Sequence, residues 1–267
     1  MDPVTCSLIF HNYYGQHENW VRFFSEKITV PFTLFYNVVE DSLYNQEENG
    51  LYNQEEDSLY GPDQYHRLSD RLYRSVSGPW LKKIVLCRSP NQGKDIGGKL
   101  VLLDALMQEP PDGGYIVFLH DKRSPHKIQS QQWADQLFGI IEPEFVRKAL
   151  SLFDRKKDLG LIAAAHSIHN EYDPSLRSFI SNNGSQLTRL RQELNILNKD
   201  YRYVAGTMFW ARAAPLLDFF GRFPPLDIRK TLEKGNVMDE TAGSITHAWE
   251  RLFSWLIFAQ GYTIKGL

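Results

Sequence analysis

Hydrophobic positions along the chain fall into two alternating spacings. Short continuous apolar runs occur at "SLIF" (7–10), "FTLFYNVV" (32–39), "KIVLC" (83–87), "YIVFL" (115–119), "LGLIAAA" (159–165) and "YRYVAG" (201–206). Runs this short, bounded by Gly, Pro or charge, read as buried strands. Between them, apolar residues recur every three or four positions. This holds for "NWVRFFSEKI" (19–28), the segment with Ile96, Leu100, Leu103 and Met107, "PEFVRKALSLF" (143–153), "GSQLTRLRQELNIL" (184–197) and "AAPLLDFF" (213–220). That spacing predicts amphipathic helices. A last helix is predicted to open at "DETAGSITHAWERLFSW" (239–255), burying Ile245, Trp249, Leu252 and Leu256. Strand and helix in turn predict βαβ units: an α/β fold with one mainly parallel sheet flanked by helices on both faces. Ligands of such sheets gather at the carboxyl ends of the strands.

One stretch departs from the alternation. "LYNQEE" occurs at 43–48 and again at 51–56, acidic and rich in Asn and Gln. Two copies are too few for a solenoid, so residues of about 41–62 are expected to form a surface insertion in a single domain spanning 1–267. The chain's 267 residues, 42% hydrophobic and 23% charged, suit a soluble globular enzyme with a full core. A net charge of -2 argues against a general nucleic-acid binder. Cys6 and Cys87 both sit in apolar runs, which predicts two buried thiols in a reducing compartment. The first residues lack the pattern of a signal peptide. "LFSWLIFAQGY" (252–262) is too short to cross a bilayer. A cytoplasmic protein is therefore expected, with attachment to a membrane surface left open.

The strand ends carry the candidate chemistry. "FHNYYG" sets His11, Tyr13 and Tyr14 after the first strand, where rings could stack on a base or sugar or simply cover the sheet edge. "NQGKDIGGKL" (91–100) puts three glycines where a strand becomes a helix. Such a turn suits close backbone approach to an anion, or is a tight turn with Asp95 as helix cap. "YIVFL" runs into His120, Asp121, Lys122, Arg123, Ser124, His126 and Lys127. Two cations beside an acid and a hydroxyl can clamp a diphosphate, with a solvated charged loop as the plainer alternative. In "YVAGTMFWAR", Gly206 and Thr207 interrupt an apolar run, which suggests a bulge or a ligand contact, with Met208 and Trp210 beside them. At the last helix Asp239 and Glu240 come first, and Glu240, Gly243, His247 and Glu250 follow one face at steps of three or four. Such a face can hold a general base.

Taken together these segments resemble the rhamnan synthesis protein F family of bacterial polysaccharide glycosyltransferases. The family's Asn-x-Gly-basic-Asp-x-Gly turn is matched by Asn91, Gly93, Lys94, Asp95 and Gly97. Its His-x-Lys-x-Ser run is matched by His120, Lys122 and Ser124, its Gly-Thr-Met-Phe-Trp run by residues 206–210, and its His-x-x-Glu-Arg by His247, Glu250 and Arg251. The resemblance implies a Rossmann-like, GT-A-like architecture and transfer of a sugar from a nucleoside diphosphate to a hydroxyl of a polysaccharide or lipid-linked glycan. Rhamnose, carried as dTDP-rhamnose, is suggested by the family name alone. On this reading His11, Tyr14, Asn91, Asp95, Gly97 and the residues 120–124 bind the donor. Gly206, Thr207, Met208, Trp210 and Glu250 line the sugar or acceptor pocket, and Glu240, Asp239 or His247 supplies the base. The closely spaced acids of metal-dependent nucleotide-sugar enzymes are replaced by "HDK" after "YIVFL", so Mg or Mn is expected at most as an accessory. A nucleotide- or glycan-binding module without catalysis is the competing reading. A metal-dependent hydrolase using His120, Asp121, His126 and His166 lacks a recognised zinc spacing.

Overall fold

A computed structural model describes residues 4–39, 62–109, 114–121, 138–238 and 242–267. The chain begins with β1 (Cys6–Asn12), α1 (His17–Lys27), β2 (Phe32–Val39), α2 (Pro62–Arg74), β3 (Leu81–Ser89), α3 (Lys94–Gln108) and β4 (Tyr115–His120). It continues through α4 (Pro143–Arg155), β5 (Leu159–Ala163) and the short strands β6 (Ile168–Asn170), β7 (Tyr172–Asp173) and β8 (Ser178–Phe179). After α5 (Gly184–Glu193) come β9 (Arg202–Val204), β10 (Phe209–Arg212), α6 (Ala213–Arg222), α7 (Pro225–Lys230), α8 (Ile245–Ala259) and β11 (Thr263–Gly266). The predicted insertion falls almost wholly outside the described residues.

Among the described residues the main sheet has seven strands in the order β11-β5-β10-β4-β1-β2-β3. All pairings are parallel except those of β10, which runs antiparallel to both neighbours. The fold is thus α/β with a mainly parallel, Rossmann-like sheet. Side chains alternate along each strand between two apolar layers. Leu8, Phe10, Leu34, Tyr36, Val117, Leu119, Met208 and Trp210 pack on the face covered by α1, α2 and α4. Ile9, Phe35, Ile116, Phe118, Phe209 and Ala211 pack on the face of α3, α6 and α8. Both faces being covered explains why the central strands read as unbroken apolar runs. Cys6 is buried and Cys87 only partly so, both as free thiols.

Two predicted elements shift. "YRYVAG" supplies β9, which pairs with β6 in a separate two-stranded ribbon, while the main sheet takes residues 209–212. The break has a local cause: Gly206 and Thr207 both adopt left-handed backbone, with φ of 78° and 49°. The last helix starts at Ile245, with Ser244 as its N-cap, and not at Asp239. No described helix is long and apolar enough to cross a membrane.

Candidate functional site

The strand order creates the site. From β1 the chain steps outward through β2 to β3, while β4 lies on β1's other flank, so the carboxyl ends of β1 and β4 form a topological switch point, the place where ligands of such sheets gather. The period of two then selects the side chains there. His11 follows Ile9, Asn37 follows Phe35 and His120 follows Phe118, so all three face α3, and His11 stands in register with both Asn37 and His120.

Lys99 of α3 lies at the centre of this face, with its side chain fully buried. An ammonium has three protons to give. Here they meet Asp95 Oδ2 at 2.8 Å, His120 Nδ1 at 3.0 Å, and the carbonyl of Thr207 at 3.1 Å together with its hydroxyl. The Thr207 hydroxyl in turn donates to Asp95 Oδ2 at 2.9 Å. Burial opposes ionisation of Asp95, but Lys99 and His120 outweigh it and hold the carboxyl well below the usual carboxylate range. Burial pushes Lys99 down against the pull of Asp95. Asp95 is no helix cap, since α3 has none from a side chain.

Beside this node, Asn37 Nδ2 donates to His11 Nδ1 at 3.0 Å and to Ser89 Oγ at 3.1 Å. Burial pushes His11 down to about 4. Asp121, also buried, accepts the backbone N–H groups of Tyr13 at 2.8 Å and Tyr14 at 2.6 Å, which ties the loop after β1 to the end of β4. Among the described residues, no group of three or more His, Cys, Asp or Glu is placed to hold a metal ion.

The glycines at 93–98 serve internal packing. Gly93 has φ 76° and donates its N–H to Glu233 O at 2.7 Å. A Cβ on Gly97 would fall 1.7 Å from Gln92 O, and one on Gly98 would fall 1.8 Å from His11 Nδ1. Gly97 therefore closes the turn on itself, and Gly98 makes room for an imidazole of the site. Asn91 bridges to Asn236, which reaches the Tyr13 hydroxyl, each at 3.1 Å. The turn is thus braced by residues 229–236. The Glu233 carboxylate extends the brace to the start of α8, accepting from Ile245 N, Thr246 N and the Thr246 hydroxyl.

The acceptor-side candidates separate. Met208 and Trp210 are fully buried, and the Trp210 indole donates to Ile140 O at 2.9 Å, so neither has surface to offer a sugar. Glu250 accepts Gly206 N–H at 2.6 Å through one oxygen and Arg251 Nη1 at 2.5 Å through the other. It braces the 206–207 turn, and Arg251 continues the chain of contacts to buried Glu171 at 3.0 Å. The His247 ring lies 2.6 Å from the Ser244 hydroxyl that caps its own helix. Gly243 precedes the helix, where a Cβ would fall 2.6 Å from Asn182 O and Asn183 Oδ1, so it opens no space on α8. The expected face Glu240, Gly243, His247, Glu250 is interrupted there. Lys122, Arg123, Ser124, Asp239 and Glu240 lie outside the described residues.

A sequence profile for rhamnan synthesis protein F matches residues 3–262, nearly the whole chain. The chain belongs to the rhamnan synthesis protein F family. No curated protein matches it in sequence. Among solved structures, a CMP:2-keto-3-deoxy-manno-octonic acid synthetase complexed with CTP is similar at 10% identity and a TM-score of 0.39, covering 99% of this chain and 89% of that one. Membership of the rhamnan synthesis protein F family puts the chain among proteins of polysaccharide synthesis.

In this family member, sequence reasoning missed Lys99, Asn37, Glu233 and Glu171. Lys99 left a trace: a cation four residues after Asp95, among the apolar positions Ile96, Leu100 and Leu103. Asn37 likewise breaks the apolar run "FTLFYNVV". Glu233 and Glu171 act through contacts across long sequence separations and left none.

Proposed function

We propose that the chain is a GT-A-like glycosyltransferase that takes a sugar from a nucleoside diphosphate and transfers it to a hydroxyl of a polysaccharide or lipid-linked glycan at the inner face of the cell membrane. The observation that carries this reading is the convergence of His11, Asp95, His120 and Thr207 at the sheet's switch point, in a member of a polysaccharide-synthesis family. In the reaction the acceptor oxygen bonds to the anomeric carbon as the bond to the diphosphate oxygen breaks. The diphosphate leaves with the electron pair, and the hydroxyl proton passes to a carboxylate. Lys122 and Arg123 follow Asp121 directly in sequence and suit the departing charge. Glu240, then Asp239, is the candidate base by chemical type. His247 and Glu250 act indirectly, through the α8 cap and the 206–207 turn.

Thermal-shift measurements with nucleoside diphosphates and their sugars, dTDP-rhamnose among them, test the donor, since a ligand of the folded state raises apparent stability. Transfer or nucleotide-sugar hydrolysis by the purified protein is the expected result. Binding without turnover would make the chain a nucleotide- or glycan-binding module, and absence of binding would remove the reading.

A further inference from the structure

We propose that the groove between the β7–β8 hairpin and α5 is a glycan-binding subsite, which grips sugars already in the growing chain while the end of that chain is presented to the donor. The inference rests on the glycosyltransferase reading and deepens it by naming where the acceptor is held.

The hairpin carries an aromatic platform. β7 and β8 pair Tyr172 with Phe179, whose rings meet edge to face at 5.9 Å. Each is backed by a second ring, Tyr201 stacking on Tyr172 at 4.7 Å and Trp255 of α8 on Phe179 at 5.5 Å. The Arg191 guanidinium lies 5.0 Å from the Tyr201 ring and 5.5 Å from that of Trp255, and donates to Ile196 O at 3.2 Å and Asn198 O at 2.8 Å. Tyr172 and Phe179 nevertheless remain only half-buried, and both line an open groove of about 630 Å³. Rings fixed in this way offer apolar surface with little side-chain freedom left to lose on binding.

The rest of the lining is glycine and polar side chains, with no acid among them. Arg177 and Ser178 come from the hairpin, Ser185 and Gln192 from α5. Among the described residues none of these four side chains makes a hydrogen bond or ion pair, and neither does the Tyr172 hydroxyl. Arg189, by contrast, is held within α5 by Glu193 and Gln186, each at 3.0 Å. Ring faces beside hydroxyls, an amide and one guanidinium match a sugar chain. The C–H faces of a pyranose are apolar, while the hydroxyls around it both donate and accept. A polyanion would meet a single unpaired cation here. Leu176 and Ile180, 73% and 65% exposed at the hairpin, make a lipid surface the competing occupant, but neither lines the groove.

Both walls are fastened to α8. Glu171, next to Tyr172, holds Arg251 and through it Glu250 on the 206–207 turn. Asn183, next to Gly184, accepts the Ser244 N–H at the α8 N-cap at 2.8 Å. Glu233 joins that end of α8 to Gly93 in the turn after β3. The groove therefore starts beside the carboxyl edge of the sheet, and α5 leads away from it for about 12 Å to Gln192. Met208 and Trp210, being fully buried, offer an acceptor no such surface.

Calorimetry with rhamnan fragments of two, four and eight sugars tests the subsite in the wild type, in Arg177→Ala/Gln192→Ala, and in Thr188→Trp, which fills the groove from an exposed position of α5. Affinity should rise with fragment length. The eight-sugar fragment should bind about tenfold more weakly to both variants, with the thermal shift by donor nucleotides unchanged. In transfer assays KM should rise for the eight-sugar acceptor and not for the two-sugar one, at unchanged kcat. Equal affinity of wild type and variants for every fragment, or no binding of any fragment, overturns the proposal. So does binding to phosphatidylglycerol vesicles that is lost in Leu176→Ser/Ile180→Ser while no fragment binds. If nucleotide sugars then still stabilise the wild type and turn over, the glycosyltransferase reading stands, and if they do neither, both fall.

Discussion

Two histidines buried on either side of β1 should make the protein acid-labile well above the carboxylate range. His17 opens α1, and its Nδ1 lies 3.0 Å from the Tyr36 hydroxyl. That hydroxyl accepts from Asn12 Nδ2 at 2.6 Å and has its own proton to give to the Nδ1 of a neutral His17. Burial lowers His17 from the ordinary 6.5 to about 4, and a helix N-terminus disfavours a cation further. His11 is lowered equally, again by burial first. Both therefore bind fewer protons folded than unfolded between pH 4 and 6.5. Their contribution to stability is complete above pH 6.5 and is lost as pH falls toward 4. At up to about 1.4 kcal/mol per pH unit each, the pair removes about 4 kcal/mol between pH 7.5 and 5. That is a large part of a typical domain stability of about 5–15 kcal/mol. Urea unfolding at pH 7.5 and pH 5, with a constant slope in denaturant, measures the loss. His17→Asn keeps an acceptor near the Nδ1 position but cannot be protonated, so its loss should be about half. A variant that loses as much as the wild type would refute the assignment of His17 as a neutral acceptor.

Other substitutions probe the scaffold of the site. Gly98→Ala forces the His11 ring away from Asn37 and should cost about 1–3 kcal/mol in urea unfolding. Gly97→Ala meets a backbone carbonyl that cannot swing aside, so its loss should be the larger of the two. Glu233→Ala removes the carboxylate at the start of α8 and should cost about 0.5–2 kcal/mol by calorimetry, with far-UV circular dichroism showing the fold retained. Replacing both Lys122 and Arg123 with alanine should weaken nucleoside diphosphate binding far more than nucleoside binding, and equal losses would put the diphosphate contact elsewhere.

The main architecture was legible because both faces of the sheet are covered. β1, β2, β4 and β5 are buried along almost their whole length, so each stands out as an apolar run of the right size. β10 and β11 are only four residues long, and β10 follows directly on a left-handed turn, so neither was separable by pattern. The site was legible by strand end, which singled out His11, Asp95, His120 and Thr207. It was not legible by role. Nothing in "NQGKDIGG" distinguishes glycines that admit a ligand from glycines that admit His11 and Gln92 O. Helical spacing from Glu240 onward is equally consistent with a helix that starts five residues later, because Gly243 and Ser244 form a cap only once Asn183 is packed against them. Met208 and Trp210 look the same in sequence whether they line a pocket or fill a core.

Thr207 bears most directly on why this sheet edge is built as it is. A β-branched residue at φ 49° occupies backbone that side chains of its type avoid, at a cost of about 1–3 kcal/mol. Glycine would relieve that strain, and Gly206 shows that the adjacent position already has one. Glycine would also remove the hydroxyl that donates to Asp95 and accepts from Lys99. The turn is held against its strain from behind, by Glu250 on Gly206 N–H, by Arg251 on Glu250 and by Glu171 on Arg251, all buried or half-buried. Four residues from three separated parts of the chain thus support one hydroxyl at the carboxyl edge of the sheet. A fold under selection for stability alone has no use for that arrangement. A site that must keep a carboxylate, an imidazole and an ammonium in one fixed geometry before its ligand arrives does have such a use, because preorganised polar groups need no rearrangement when they bind.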